Sequence, residues 1–117
     1  MHERIYTRYP FSATAEIIDS SSAQMPSRVT NIGFGGCRLI ATGRLSIGSE
    51  VTVKIHTPTE YFESAATVAH STATDLGVTF HNVSPVYFNI LRKWISAITS
   101  VVVPPPLSKP KFPSESV

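Results

Sequence analysis

The chain has 117 residues, of which 42% are hydrophobic and only 15% charged; that is one domain's worth of core and too few charges for a charge-driven disordered chain. Ten Lys and Arg against eight Asp and Glu leave a net charge of +2, too even a balance for a protein that coats a nucleic-acid backbone, but enough for one small anion site. A single cysteine, Cys37, excludes an internal disulfide framework and a multi-thiolate zinc site.

In chain order, residues 1–10 are polar and basic with no hydrophobic period and read as a flexible, arginine-bearing arm. No apolar run approaches the roughly 20 residues of a membrane span, and the first six residues lack the apolar core of a secretion signal. A cytoplasmic protein without membrane insertion is the expectation. Ala13, Ala15 and Ile17 then alternate with Thr14, Glu16 and Ile18, a period of two that predicts a strand. Residues 19–22 (Asp-Ser-Ser-Ser) predict a loop, and a short strand around Val29 runs into Asn31-Ile32-Gly33-Phe34-Gly35-Gly36. Three glycines in four positions mark a sharp turn or a close backbone approach.

Behind that turn, Cys37, Leu39 and Ala41 share one face of a strand. Val51, Val53 and Ile55 form the clearest strand, and Pro58 ends it. Phe62, Ala66 and Val68 line the next, and Leu76, Val78 and Phe80 the last, which Asp75 opens; Glu60 and Glu63 read as an exposed edge beside Phe62. The period then changes to that of a helix: Ser84-Pro85 is a start signal, and Tyr87, Leu91, Trp94, Ile98 and Val102 recur at three- and four-residue steps. Pro104-Pro105-Pro106 stops it, and residues 104–117 predict a proline-rich, disordered tail.

Six short strands at this spacing predict an all-β architecture, a six-stranded antiparallel β-barrel closed by the C-terminal α-helix, over residues 11–103. Closure removes unpaired strand edges, and Leu91 and Trp94 are placed to plug one barrel opening.

Chemistry-bearing motifs are few. The four histidines are scattered, with no i,i+4 pair. No Gly-x-Ser-x-Gly elbow, phosphate-binding P-loop or acid/base carboxylate pair occurs, so an enzyme, a metal site and a cofactor are not expected. Cys37 lies on an apolar face and packs rather than reacts. Two features remain: Arg4 and Arg8, four apart on the arm, and the glycine turn at Asn31.

Together these resemble the PilZ domain family, whose marks are an R-x-x-x-R arm and a [D/N]-x-S-x-x-G turn on a six-stranded barrel with a C-terminal helix. Arg4 and Arg8 match the first motif; Asn31 and Gly36 match two of the three fixed positions of the second. The resemblance covers roughly residues 3 to 100. It implies a non-enzymatic receptor for cyclic di-GMP, a bacterial second messenger, that relays the signal by conformational change to an unknown downstream protein; neither DNA nor RNA is an expected partner. Arg4, Arg8, Asn31, Gly33, Gly35 and Gly36 are the implied ligand-binding residues. The chemistry is apt. A guanidinium clamps phosphate bidentately, bonds the O6/N7 edge of guanine or stacks on the base. Two arginines four apart on an extended arm are at most about 13–14 Å apart. Asn31 offers both a donor and an acceptor.

Two positions depart from the pattern. Gly33 stands where the family has serine, a hydrogen bond worth about 0.5–1.5 kcal/mol, or up to tenfold in affinity. Ile5 stands where many relatives carry another arginine. These departures motivate an alternative, a degenerate PilZ-like protein-interaction module that does not bind the nucleotide and in which Gly33→Ser would restore binding. A third reading is a small barrel that stacks single-stranded nucleic acid on Tyr6, Tyr9, Phe11 and Phe34, against which the low net charge argues.

Overall fold

The computed structural model describes residues 7–41, 43 and 45–102, with side chains as far as Thr99. Arg4, Ile5, Tyr6 and the proline-rich tail lie outside the described residues. Six strands follow one another, β1 (Tyr9–Asp19), β2 (Gln24–Ile32), β3 (Gly36–Ala41), β4 (Glu50–His56), β5 (Tyr61–Ser71) and β6 (Asp75–His81), and then helix α1 (Pro85–Val102). All pairings are antiparallel, in the order β1-β2-β3-β6-β5-β4, and β4 returns to β1 to close the barrel. The expected architecture is the observed one, with β1 starting at Tyr9, inside the segment read as arm.

Alternation explains the interior. Ala15, Ile17, Val51, Val53, Ile55 and Leu39 are all buried while their strand neighbours face out. Ser64 also points inward, between Phe62 and Ala66; its hydroxyl donates to the Ala65 carbonyl at 2.8 Å, which removes the cost of burying it. At the end of β2 the alternation slips. Val29 and Ile32, three apart, are both fully buried, because the β2–β3 register shifts between Val29 and Asn31. In a regular strand Asn31 would share the inward face of Val29; the bulge re-aims it outward, opposite Pro10 of β1 and Arg38 of β3.

Helix α1 begins as the Ser84-Pro85 signal predicts, with the Ser84 carbonyl accepting the Phe88 N–H at 2.8 Å. Its buried face is Leu91, Trp94 and Ile95. Trp94 stacks on Phe11 at 5.1 Å and approaches Phe62 at 6.1 Å, and Tyr87 meets Phe62 edge-on at 6.1 Å. The helix thus closes the barrel end formed by the start of β1, the β4–β5 turn and the end of β6. Full burial of a side chain such as Leu91 contributes about 1.5–3 kcal/mol. Glu60, read as an exposed edge, is instead half-buried at this seam. Its Oε1 accepts the Trp94 indole N–H at 2.8 Å, and its Oε2 pairs with Lys93 Nζ at 2.5 Å. Both partners hold the Glu60 carboxyl below the usual carboxylate range. Glu63 is half-buried too and accepts a hydrogen bond from the Tyr61 hydroxyl.

Candidate ligand site

The glycine turn joins β2 to β3 at the same barrel end as the helix. Two backbone bonds fix it: Gly33 N–H donates to the Gly36 carbonyl at 2.9 Å, and Phe80 N–H of β6 donates to the Gly35 carbonyl at 2.9 Å. Among the described glycines only Gly48 has a positive φ, +93°. Gly33 and Gly36 are therefore needed for close approach, not for an unusual backbone angle. A Cβ on Gly36 would overlap the Val78 carbonyl oxygen of β6. Its missing side chain makes room for the neighbouring strand, which is a reason internal to the barrel.

At Gly33 the neighbour is the arm. A Cβ there would lie 2.5 Å from the Thr7 carbonyl oxygen and 3.6 Å from the Arg8 Cα. The chain ahead of β1 passes directly over the buried turn, and this brings Arg8 to Asn31. Arg8 Nη1 donates to Asn31 Oδ1 at 3.3 Å, across 23 positions of sequence. Arg8 also acts on Cys37, the second residue of β3. Burial pushes the Cys37 thiol up to about 12, and the nearby Arg8 charge opposes that rise.

Of the six residues expected to bind ligand, Arg8, Asn31, Gly33, Gly35 and Gly36 therefore meet at one end of the barrel, and Arg4 lies outside the described residues. The register adds what the motif did not contain. Arg38 lies directly opposite Asn31 on β3. Arg28, exposed on β2, lines an open groove of about 460 Å³ with Pro10, Phe11, Ser12, Val29 and Thr30, at the irregular stretch of the β1–β2 pairing. Both arginines flank the turn in the sequence; what the strand register adds is which neighbours they face. Phe34 of the turn packs on Phe88 of α1 at 5.6 Å, and the Arg92 guanidinium lies over Phe88 at 5.5 Å. Phe11 and Phe34, candidate stacking platforms for nucleic-acid bases, are thus engaged with the helix.

Among the described residues no cluster of three or more His, Cys, Asp or Glu is placed to hold a metal, and no helix is long and apolar enough to cross a membrane.

The PilZ domain model matches residues 2–97. The chain belongs to the PilZ domain family. No curated protein sequence matches it significantly. Among solved structures, this PilZ domain resembles the cyclic di-GMP-bound PilZ domain of YcgR from Escherichia coli, with TM-score 0.72 and 15% identity, covering 86% of this chain and 95% of that one. It also resembles the larger YcgR chain in complex with cyclic di-GMP, with TM-score 0.71 and 16% identity, covering 86% of this chain and 47% of that one. The inhibitor of motility MotI/DgrA of Bacillus subtilis is similar at TM-score 0.69 and 16% identity, covering 86% of this chain and 53% of that one. The chain thus spans nearly all of the isolated YcgR domain but about half of the longer YcgR and MotI chains. At these identities the likeness is one of fold.

Proposed function

We propose that this PilZ domain is a non-enzymatic bacterial receptor for cyclic di-GMP, with Arg8 and Asn31 at the centre of its site. The observation that carries this reading is the Arg8–Asn31 hydrogen bond, which joins the arm motif to the turn motif at one end of the barrel. Arg8 supplies a permanent positive charge with a forked donor set for a phosphate or a guanine O6/N7 edge. Asn31, turned outward by the bulge, supplies a donor and an acceptor for a guanine edge. Arg4, four residues earlier, reaches a different part of the same dinucleotide. Gly33, Gly35 and Gly36 shape the turn.

The output is a change in the arm's position, passed to a protein partner in the cytoplasm. The ring pair Phe34–Phe88 gives the turn a direct contact with the helix through which a rearrangement is also felt there. Calorimetric titration with cyclic di-GMP is the test. Binding tighter than about 10 μM, lost in Arg8→Ala, supports the receptor reading; no heat at high ligand concentration removes it and leaves the protein-interaction module.

A further inference from the structure

The glycine at position 33 has a consequence opposite to the one the family motif suggests. A missing serine reads as a lost hydroxyl, so that returning it strengthens binding. Yet the turn around Gly33 cannot retreat. The residue is buried, its N–H is committed to Gly36, and Gly35 is bonded into β6. The Thr7 carbonyl oxygen occupies the space that a Cβ would need, at 2.5 Å, where real Cβ atoms essentially never come. Thr7 is exposed and precedes β1 by two residues. With the turn tied into two strands and Thr7 outside any ladder, the arm is what yields to a side chain at 33. Arg8, the next residue, yields with it and leaves Asn31.

We infer that Gly33 is a positioning residue, the seat on which the arm's backbone rests so that Arg8 is set over the turn before ligand arrives. In place of one hydroxyl contact the chain has an Arg8 already set over the turn, and ordering costs on binding are reduced when the bound geometry pre-exists. The consequence for affinity rests on the receptor reading; the consequence for the arm does not.

The experiment compares wild type, Gly33→Ala and Gly33→Ser as full-length chains, with thermal melts to verify that each is folded. Without ligand, trypsin cleavage of the Arg8–Tyr9 bond, followed by mass spectrometry, is expected to accelerate in both variants at unchanged melting temperature. In wild type a nuclear Overhauser contact is expected between an α-proton of Gly33 and that of Arg8, a measurement that needs no variant. With cyclic di-GMP, both variants are expected to bind about ten- to a hundredfold more weakly, the range for losing charge-assisted hydrogen bonds, with serine no better than alanine. Gly33→Ser binding as tightly as wild type or tighter overturns the inference, as does absence of the wild-type contact or unchanged cleavage in folded variants. If wild type binds no nucleotide, the receptor reading falls, while cleavage and the proton contact still decide the role of Gly33.

Discussion

Arg8 and Asn31 are separated by 23 positions, yet the guanidinium of one donates to the side-chain carbonyl of the other at 3.3 Å. Asn31 therefore has two tasks in the proposed receptor: it holds Arg8 over the turn and offers a hydrogen-bonding edge of its own. Asn31→Ala removes both. Since the bulge keeps Asn31 out of the barrel interior, the expected outcome is cyclic di-GMP affinity reduced about tenfold or more with a melting temperature close to wild type. Equal titration curves for the two proteins would remove Asn31 from the site.

Gly36 belongs to the same motif but acts through the fold. Its Cβ would overlap the Val78 carbonyl oxygen, a backbone atom of the neighbouring strand paired with β3. Gly36→Ala is expected to destabilise the barrel by about 1–3 kcal/mol or more, the cost of overpacking a well-packed interior. Gly48→Ala, at φ +93° with no atom within reach of the new Cβ, bears only backbone strain. Denaturant melts of the two separate the effects: a larger loss at Gly36 is expected, and loss of binding in Gly36→Ala should follow loss of fold.

The barrel was legible in the residues because the strands keep, over most of their length, a two-residue alternation that sends the core residues inward. Helix α1 was legible from Ser84-Pro85 and the Leu91–Trp94 spacing, although Ile95 joins its buried face and lay outside the stripe that the spacing defined. The site was legible only as two motifs. What brings them together is the β2 bulge that turns Asn31 outward, which leaves no local signal, and the absence of a Cβ at Gly33, where the glycines signal a close approach without naming the neighbour. Thr30 looks like any strand threonine, and a glycine chosen for its neighbour cannot be told from one chosen for its backbone angle. Glu60 was misread for the same reason: its partners, Lys93 and Trp94, lie more than thirty residues away.

The helix is an integral part of the core. Leu91 is fully buried, whereas Val86, one turn and a little more earlier, is 68% exposed. Leu91→Ala is expected to cost about 2–5 kcal/mol, transfer and cavity terms together. Val86→Ala should stay within about 0.5 kcal/mol of wild type. Chemical denaturation measures both; near-equal midpoints would mean that the helix does not plug the barrel.

Glu60 ties the helix to the β4–β5 turn through Lys93 and the Trp94 indole, and both hold its carboxyl below the ordinary range. A carboxylate whose folded-state pKa is depressed adds stability that is complete above its unfolded value. That contribution is lost as the pH falls through the folded one. Stability should therefore decline on the acid side of the usual carboxylate range, with Trp94 fluorescence reporting the loosening. Glu60→Gln keeps an acceptor for the indole but cannot ionise, so its melting temperature should be lower than wild type near neutral pH and should depend less on pH in acid. Parallel acid profiles for the two proteins would count against this seam.

Cys37 is fully buried, and burial pushes its thiol up to about 12 despite the nearby Arg8 charge. The thiolate is the reactive species, so the folded protein presents almost none of it at neutral pH and no surface through which a reagent can approach. Labelling by a thiol-specific reagent should proceed only through opening of the barrel. Its rate should then rise with denaturant in step with unfolding, and should rise in Leu91→Ala by the same factor as that variant's opening equilibrium. A fast rate in native buffer, indifferent to both denaturant and the Leu91 substitution, would show that β3 opens locally beneath the arm.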